Sequence, residues 1–251
     1  MKTAKPDFFL SFGWFPLPEV EEIAIENAPA FLQGLNVLFV SDVHLRKEVP
    51  DEKLAALIAR IKAQNADMIL FGGDYAETAD QHIRFFEVLS GVQAQAGVFG
   101  VMGNNDREAF PDAQALRKIA ESGGMKLLVN ESVILENGLA IGGCDDHKWG
   151  RPVTGNLFGG GNYRILISHF PVKPDCDADL MLSGHTHGGQ FNFLGITPYS
   201  IGFEHGYHME AVSGLHTIGR RKLLVSKGIG ASRLPLRIGV RPKIQLVKFT
   251  G

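Results

Sequence analysis

Five times along the sequence an apolar run of strand length ends in a carboxylate, a carboxamide or an imidazole. Val37–Val40 leads into Ser41-Asp42-Val43-His44, and Met68–Phe71 into Gly72-Gly73-Asp74. Val98–Met102 leads into Gly103-Asn104-Asn105-Asp106, Arg164–Ile167 into Ser168-His169, and Leu180–Leu182 into Ser183-Gly184-His185-Thr186-His187. Carboxylate oxygens and imidazole nitrogens are ligands for Mn, Fe, Zn, Co or Ni, with no thiolate required. Asp42-x-His44 and His185-x-His187 each put two such side chains on one face of an extended segment. Glycines beside them permit tight turns and close backbone approach. One pair of this kind is commonly an ordinary surface or core feature. Five at successive strand ends point to a metal centre, because ligands of α/β sheets bind beyond the carboxyl ends of the strands.

The elements that must position these residues follow from periodicity. Asp51 to Lys62 carries Leu54, Leu57, Ile58 and Ile61 at helical spacing behind a Pro50-Asp51 start. Helices are also predicted over residues 82–89 and about 111–120, the latter stopped by Gly123-Gly124. Val133–Leu135 and Leu139–Ile141 read as a hairpin, and strands are expected at 23–25, 223–225 and 244–247. The first half alternates strands with helices, as parallel βαβ units do, whereas the second half is richer in strands. Two packed sheets fit better than one doubly wound sheet. With no repeat or linker in sight, the chain reads as a single domain over 1–251.

Composition narrows the class further. The 251 residues are 45% hydrophobic and 21% charged with a net charge of −2, which excludes a disordered chain. Cys144 and Cys176 are too few for a disulfide scaffold. The aromatic N-terminal run of Phe8, Phe9, Phe12, Trp14 and Phe15 is broken by Gly13 and Pro16, unlike a signal peptide. A cytoplasmic protein is therefore expected, with those aromatics packing over a sheet edge or pocket. Charge is unevenly distributed: nine basic and no acidic residues follow Glu210, leaving residues 1–210 at −11. Such a tail is either a solvated edge or a surface for an anionic substrate or membrane, so peripheral contact with anionic lipid is the second expectation.

Taken together, Asp42-Val43-His44, Gly73-Asp74, Gly103-Asn104-Asn105-Asp106, His169 and Gly184-His185-Thr186-His187 resemble the signature of the calcineurin-like metallophosphoesterases, over roughly residues 35–190. Gly188-Gly189-Gln190, Asp145-Asp146, Ser226-Lys227-Gly228-Ile229-Gly230 and Pro235-Leu236-Arg237 are similar to the bacterial branch of YkuE/YaeI-type phosphodiesterases. The resemblance implies a mixed α/β fold, a four-layer αββα sandwich of two mixed sheets flanked by helices. It also implies two divalent ions, manganese foremost: one held by Asp42, His44 and His187, the other by Asn104, His169 and His185, with Asp74 between them. In that arrangement the ions lower the pKa of a shared water, whose hydroxide attacks a phosphate ester or phosphoanhydride.

One position departs from the family pattern. Where the family usually has a histidine that contacts the phosphate and assists the leaving group, this chain has Asn105. An amide donates a hydrogen bond but cannot deliver a proton near neutral pH. His147 is the first candidate replacement, with His205 and His208 as others. A leaving group that needs no proton is the preferred explanation, and weak turnover is the third. The substrate class implied is a phosphate-containing small molecule or a lipid-linked pyrophosphate of the UDP-diacylglucosamine type; nucleic acid is not expected, since the basic tail carries a single aromatic, Phe249. The non-enzyme alternative is a binding scaffold that reuses the fold. His82 and His216 match no motif and read as structural or exposed.

Overall fold

The computed structural model describes residues 9–251, apart from the side chain of residue 205. The strands are β1 (Leu10–Phe12), β2 (Glu19–Ile25), β3 (Asn36–Val40), β4 (Met68–Phe71), β5 (Val98–Gly100), β6 (Lys126–Leu127) and β7 (Glu131–Ile134). They continue with β8 (Leu139–Gly143), β9 (Tyr163–Ile167), β10 (Leu180–Ser183), β11 (Gly214–Ile218), β12 (Arg221–Val225), β13 (Leu236–Ile238) and β14 (Lys243–Phe249). The helices are α1 (Asp51–Lys62), α2 (Ala79–Leu89), α3 (Asn104–Ala109) and α4 (Ala113–Ser122).

Two six-stranded mixed sheets form, in the orders β2-β14-β3-β4-β5-β6 and β11-β12-β10-β9-β8-β7, with β1 and β13 as a separate antiparallel pair. In the first sheet β3, β4, β5 and β6 run parallel. In the second, β8, β9, β10 and β12 run parallel between the antiparallel edges β7 and β11. The expected hairpin is β7–β8.

Strands buried on both faces must be apolar at every position, which is why 37–40 and 68–71 are unbroken apolar runs. Alternate residues then divide between layers. Val37, Phe39, Met68 and Leu70 face Ile141, Ile165, Ile167 and Leu182 in the space between the sheets. Leu38, Val40, Ile69 and Phe71 face the apolar stripes of the helices, including Leu54, Leu57, Phe85 and Leu116. Each such side chain contributes roughly 1.5–3 kcal/mol relative to exposure.

The two mixed sheets are those expected, and a helical layer covers the first. Among the described residues all four helices lie between 51 and 122. Over the outer face of the second sheet, Leu166, Met181 and Leu223 are covered by loop residues such as Leu157, Phe158 and Cys176. The N-terminal aromatics divide: Phe15 is in the core and Trp14 supports Arg46, whose guanidinium lies 3.9 Å from its ring centroid, while Phe12 is exposed and Phe8 lies outside the described residues. No helix among the described residues is long and apolar enough to cross a membrane.

Candidate metal centre

Parallel strands end at the same side of a sheet, so β3, β4 and β5 deliver Asp42, His44, Asp74 and Asn104 to one edge. The neighbouring pair β9 and β10 delivers His169, His185 and His187 from the facing sheet. All seven are buried. His44 Nε2 and His187 Nε2 stand 3.0 Å apart, and Asp42 Oδ1 lies 3.6 Å from the latter. His185 Nδ1 lies 3.0 Å from Asn104 Oδ1 and 3.3 Å from His169 Nε2. Between the two groups stands one oxygen, Asp74 Oδ2, at 3.4 Å from both His44 Nε2 and His169 Nε2.

The outward contacts of these side chains settle what faces inward. His44 Nδ1 meets the Glu77 carboxylate at 2.7 Å, His169 Nδ1 meets Gly72 O at 2.7 Å, and His187 Nδ1 meets Gly230 O at 3.1 Å. His185 is turned the other way, its Nε2 2.7 Å from Glu204 Oε2. Where the outer nitrogen meets only an acceptor, as in His169 and His185, it carries the proton in the neutral ring and leaves the inner nitrogen a lone pair. Asn104 spends its amide donor on Asn105 Oδ1 at 2.6 Å, so its carbonyl oxygen also faces inward as an acceptor. Lone pairs facing one another at 3.0–3.4 Å repel unless a cation lies between them. Ligands about 2.1 Å from an ion stand about 3.0–3.4 Å apart, so the donor set fits divalent metals.

Among the described residues, two triads have ligand atoms within 4.8 Å of one another: Asp42, His44 and His187; and Asp42, Asp74 and His169. The first is the set expected for one ion. The second groups Asp42 with Asp74 and His169, whereas the resemblance assigns Asp42 to the set with His44 and His187 alone.

The backbone is bent to this purpose. Asp42, His44, Asp74, His185 and His187 all have positive φ, between 46° and 68°. Non-glycine residues rarely adopt that region and such strain gathers at functional sites. Here it is held by pairing between the turns: Asp42 N–H donates to Gly73 O at 3.0 Å and His44 N–H to Asp74 O at 2.9 Å. Gly73, at φ +89°, packs on Gly103 so closely that an added Cβ would meet Gly103 Cα at 2.8 Å. Asp106 pins the same turn, accepting from Asp74 N at 2.7 Å, Gly103 N at 2.8 Å and Tyr75 N at 2.9 Å.

Electrostatics follow from the crowding. Burial pulls His169 down, but the Asp74 carboxylate more than reverses it, lifting the imidazole to about 10. Burial likewise opposes the charge on Asp74, yet His169 and His44 hold its carboxyl well below the usual carboxylate range. His187 is pushed well below the ordinary histidine range by burial, His44 and the Arg237 guanidinium. A ligating imidazole must give up the proton on its inner nitrogen, so ion binding at His44 and His169, both raised against burial by carboxylates that include Asp74, would be linked to proton release.

A pocket of about 420 Å³ opens above these residues, lined by Asp74, Asn104, Asn105, His185 and His187, with Arg46 and Lys148 at its wall. Asn105 lies in it: its backbone N–H donates to Asp74 Oδ1 at 2.8 Å and its amide to Glu77 Oε1 at 3.1 Å. His147 lies outside the lining, with its ring 5.8 Å from that of Phe170 and a buried Nδ1 without a partner. Burial and the neighbouring His169 bring it down to about 4. His208 is exposed, and the side chain of His205 lies outside the described residues. His82 is buried against Asp106 and His216 is bound to the Ser213 carbonyl, neither in the site.

Three supporting residues were not assigned a role from sequence. Glu77 and Glu204 orient His44 and His185. Arg237, fully buried, donates through Nη1 to Lys227 O at 2.9 Å and lies 3.0 Å from His187 Nδ1. Glu77 follows Asp74 by three residues and Arg237 ends the Pro-Leu-Arg motif, but neither spacing specifies a partner. Glu204 carries no local signal.

Residues 35–189 match the calcineurin-like phosphoesterase family. Phosphodiesterase YaeI of Escherichia coli K12 is 29% identical, over 94% of this chain and 89% of its own. YkoQ of Bacillus subtilis 168, an uncharacterized metallophosphoesterase, is 30% identical over 84% and 82% of the two chains. YkuE of the same organism is 30% identical over 90% and 83%. With its signature residues gathered at one pocket and more than half its length matched, this chain belongs to the calcineurin-like phosphoesterase family.

Proposed function

We propose that the protein is a two-metal phosphoester hydrolase acting on a diester or phosphoanhydride whose leaving group departs unprotonated. The observation that carries the reading is the position of Asp74 Oδ2, equidistant at 3.4 Å from His44 Nε2 and His169 Nε2. One oxygen so placed can serve two ions, the first with Asp42, His44 and His187, the second with Asn104, His169 and His185. Divalent cations there supply Lewis acidity, lowering the pKa of water and neutralising charge that builds on phosphorus. Similarity to a protein named as a phosphodiesterase supports the diester class.

The chain's own residues favour an acid-independent departure. Asn105 offers an amide, Arg46 a guanidinium and Lys148 an ammonium to the pocket. These groups hold an anion by hydrogen bonds and charge rather than by protonating it near neutral pH. His147, held at about 4, is neutral at pH 7 and has no proton to give. Nearby cations would lower it further.

The test is metal-reconstituted protein, manganese first, assayed on bis-p-nitrophenyl phosphate, alkyl-leaving diesters, phosphomonoesters and pyrophosphates. Two ions per chain are expected, with turnover that falls steeply as the leaving group becomes more basic. Metal bound with no turnover on any ester or anhydride overturns the reading and leaves a binding scaffold. A rate indifferent to leaving-group basicity overturns the acid-independent part alone.

A further inference from the structure

Beside the metal pocket lies a second groove of about 260 Å³ with an almost wholly apolar lining, and the two share Phe191 and Pro198. Its outer rim is a cluster of large apolar side chains turned to solvent: Phe193, Leu194, Ile196 and Ile201, with Leu194 83% and Ile201 78% exposed. Residues 188–203 contain no charged side chain. β1 extends the patch. Leu10 stands opposite Ile238, which lines the groove, and Phe12 opposite Leu236, so Leu10 and Phe12 share that face and are themselves exposed. A contiguous exposed patch of this kind marks an interaction surface.

Folding does not call for it. Phe193 and Ile196 exchange backbone hydrogen bonds at 3.0 Å across Leu194-Gly195, both at positive φ. Such a two-residue turn favours Asn-Gly, and a leucine at its tip is both strained and hydrated. We propose that this rim docks the protein on an anionic lipid bilayer, so that a phosphate-bearing amphiphile reaches the metal pocket with its apolar part in the adjoining groove. Charge favours lipid over a second copy of the chain. Next to Leu234, itself exposed, Arg233 has its side chain 68% exposed and its guanidinium over the Phe203 ring, 3.8 Å from the largely buried Glu204 carboxylate that His185 also engages. A basic group flanking an apolar loop suits anionic headgroups, whereas a symmetric self-interface would bring the two basic rims together.

Full-length protein is floated with phosphatidylcholine vesicles with and without phosphatidylglycerol, at low and high salt. Binding is expected to the phosphatidylglycerol vesicles and to weaken with salt. Leu194→Asn, a residue that turn prefers, and Ile201→Ser should each reduce partition about tenfold while hydrolysis of a soluble aryl diester persists. The proposal is overturned if the protein stays in solution with anionic vesicles at low salt, or if Leu194→Asn and Ile201→Ser combined in one chain leave partition unchanged. Concentration-dependent self-association abolished by the same substitutions, without vesicle binding, would overturn it in favour of a second copy. Vesicle binding is read without turnover, so its failure is separate from failure of the hydrolase reading.

Discussion

Asn105 and Glu77 are bonded through their side chains at 3.1 Å, and the same Glu77 oxygen receives His44 Nδ1 at 2.7 Å. Glu77 thus ties the residue that stands where the family usually has a histidine to the candidate metal ligand His44. Arg46 Nη2, 3.0 Å from that oxygen, completes the cluster. The amide is built into the scaffold of the site, which is why its replacement is informative.

Asn105→His restores an acid beside a carboxylate that favours its protonated form. On an alkyl-leaving diester the rate should rise on the order of 10²-fold, with little change on an activated aryl diester. Comparing kcat on the two substrates checks it; equal change on both would show that leaving-group protonation is not what Asn105 limits.

Asp74→Asn keeps the shape and removes the charge between the two ligand groups. Turnover should drop on the order of 10³-fold or more, and metal content should fall below that of the parent protein. Elemental analysis alongside the rate is decisive, since unchanged cation content would place Asp74 outside the centre.

His82, bonded to the Asp106 carboxylate that pins the Asp74 turn, offers a pH-dependent test of stability. Burial lowers its pKa, but the hydrogen bond and charge of Asp106, 2.7 Å away, raise it above the ordinary 6.5. A raised folded-state pKa adds stability that is complete below 6.5 and is lost as the pH climbs through the folded value. His82→Gln should therefore cost roughly 1–3 kcal/mol in mild acid, and the gap to the parent should narrow toward alkaline pH. Unfolding free energies across that range measure it; a constant gap would mean the pair contributes packing only.

Gly73→Ala forces a Cβ into the Gly103 backbone at a position of positive φ. It should destabilise the protein by about 2–4 kcal/mol and weaken metal binding, because Asp74 is the next residue. Gly155→Ala, where a Cβ meets nothing within 4 Å, is the control and should change stability by less than about 1 kcal/mol. Differential scanning calorimetry with metal titration reads both.

The seven candidate ligands were legible because each one ends an apolar run, and strand ends are marked by hydrophobicity and glycine. α1 was legible to the residue, since four buried side chains at helical spacing stand behind a proline start. The supporting carboxylates were not, because Glu204 reaches His185 from a loop whose path is set by tertiary packing alone. α3 was hidden because its six residues hold the site's own polar groups and offer no apolar stripe. β1 and β13 are three residues long and pair across most of the chain, so no local pattern announces them. The covering of the second sheet by loops was likewise invisible: its apolar residues fall in ones and twos between glycines and prolines.

β14 lies between β2 and β3, parallel to one and antiparallel to the other. The sheet that carries Asp42 and Asp74 therefore remains in two pieces until residues 243–249 arrive, however early β3 and β4 have left the ribosome. Loss of β14 would detach β2 from the sheet and leave unpaired the outer edge of β3, the strand that leads into Asp42.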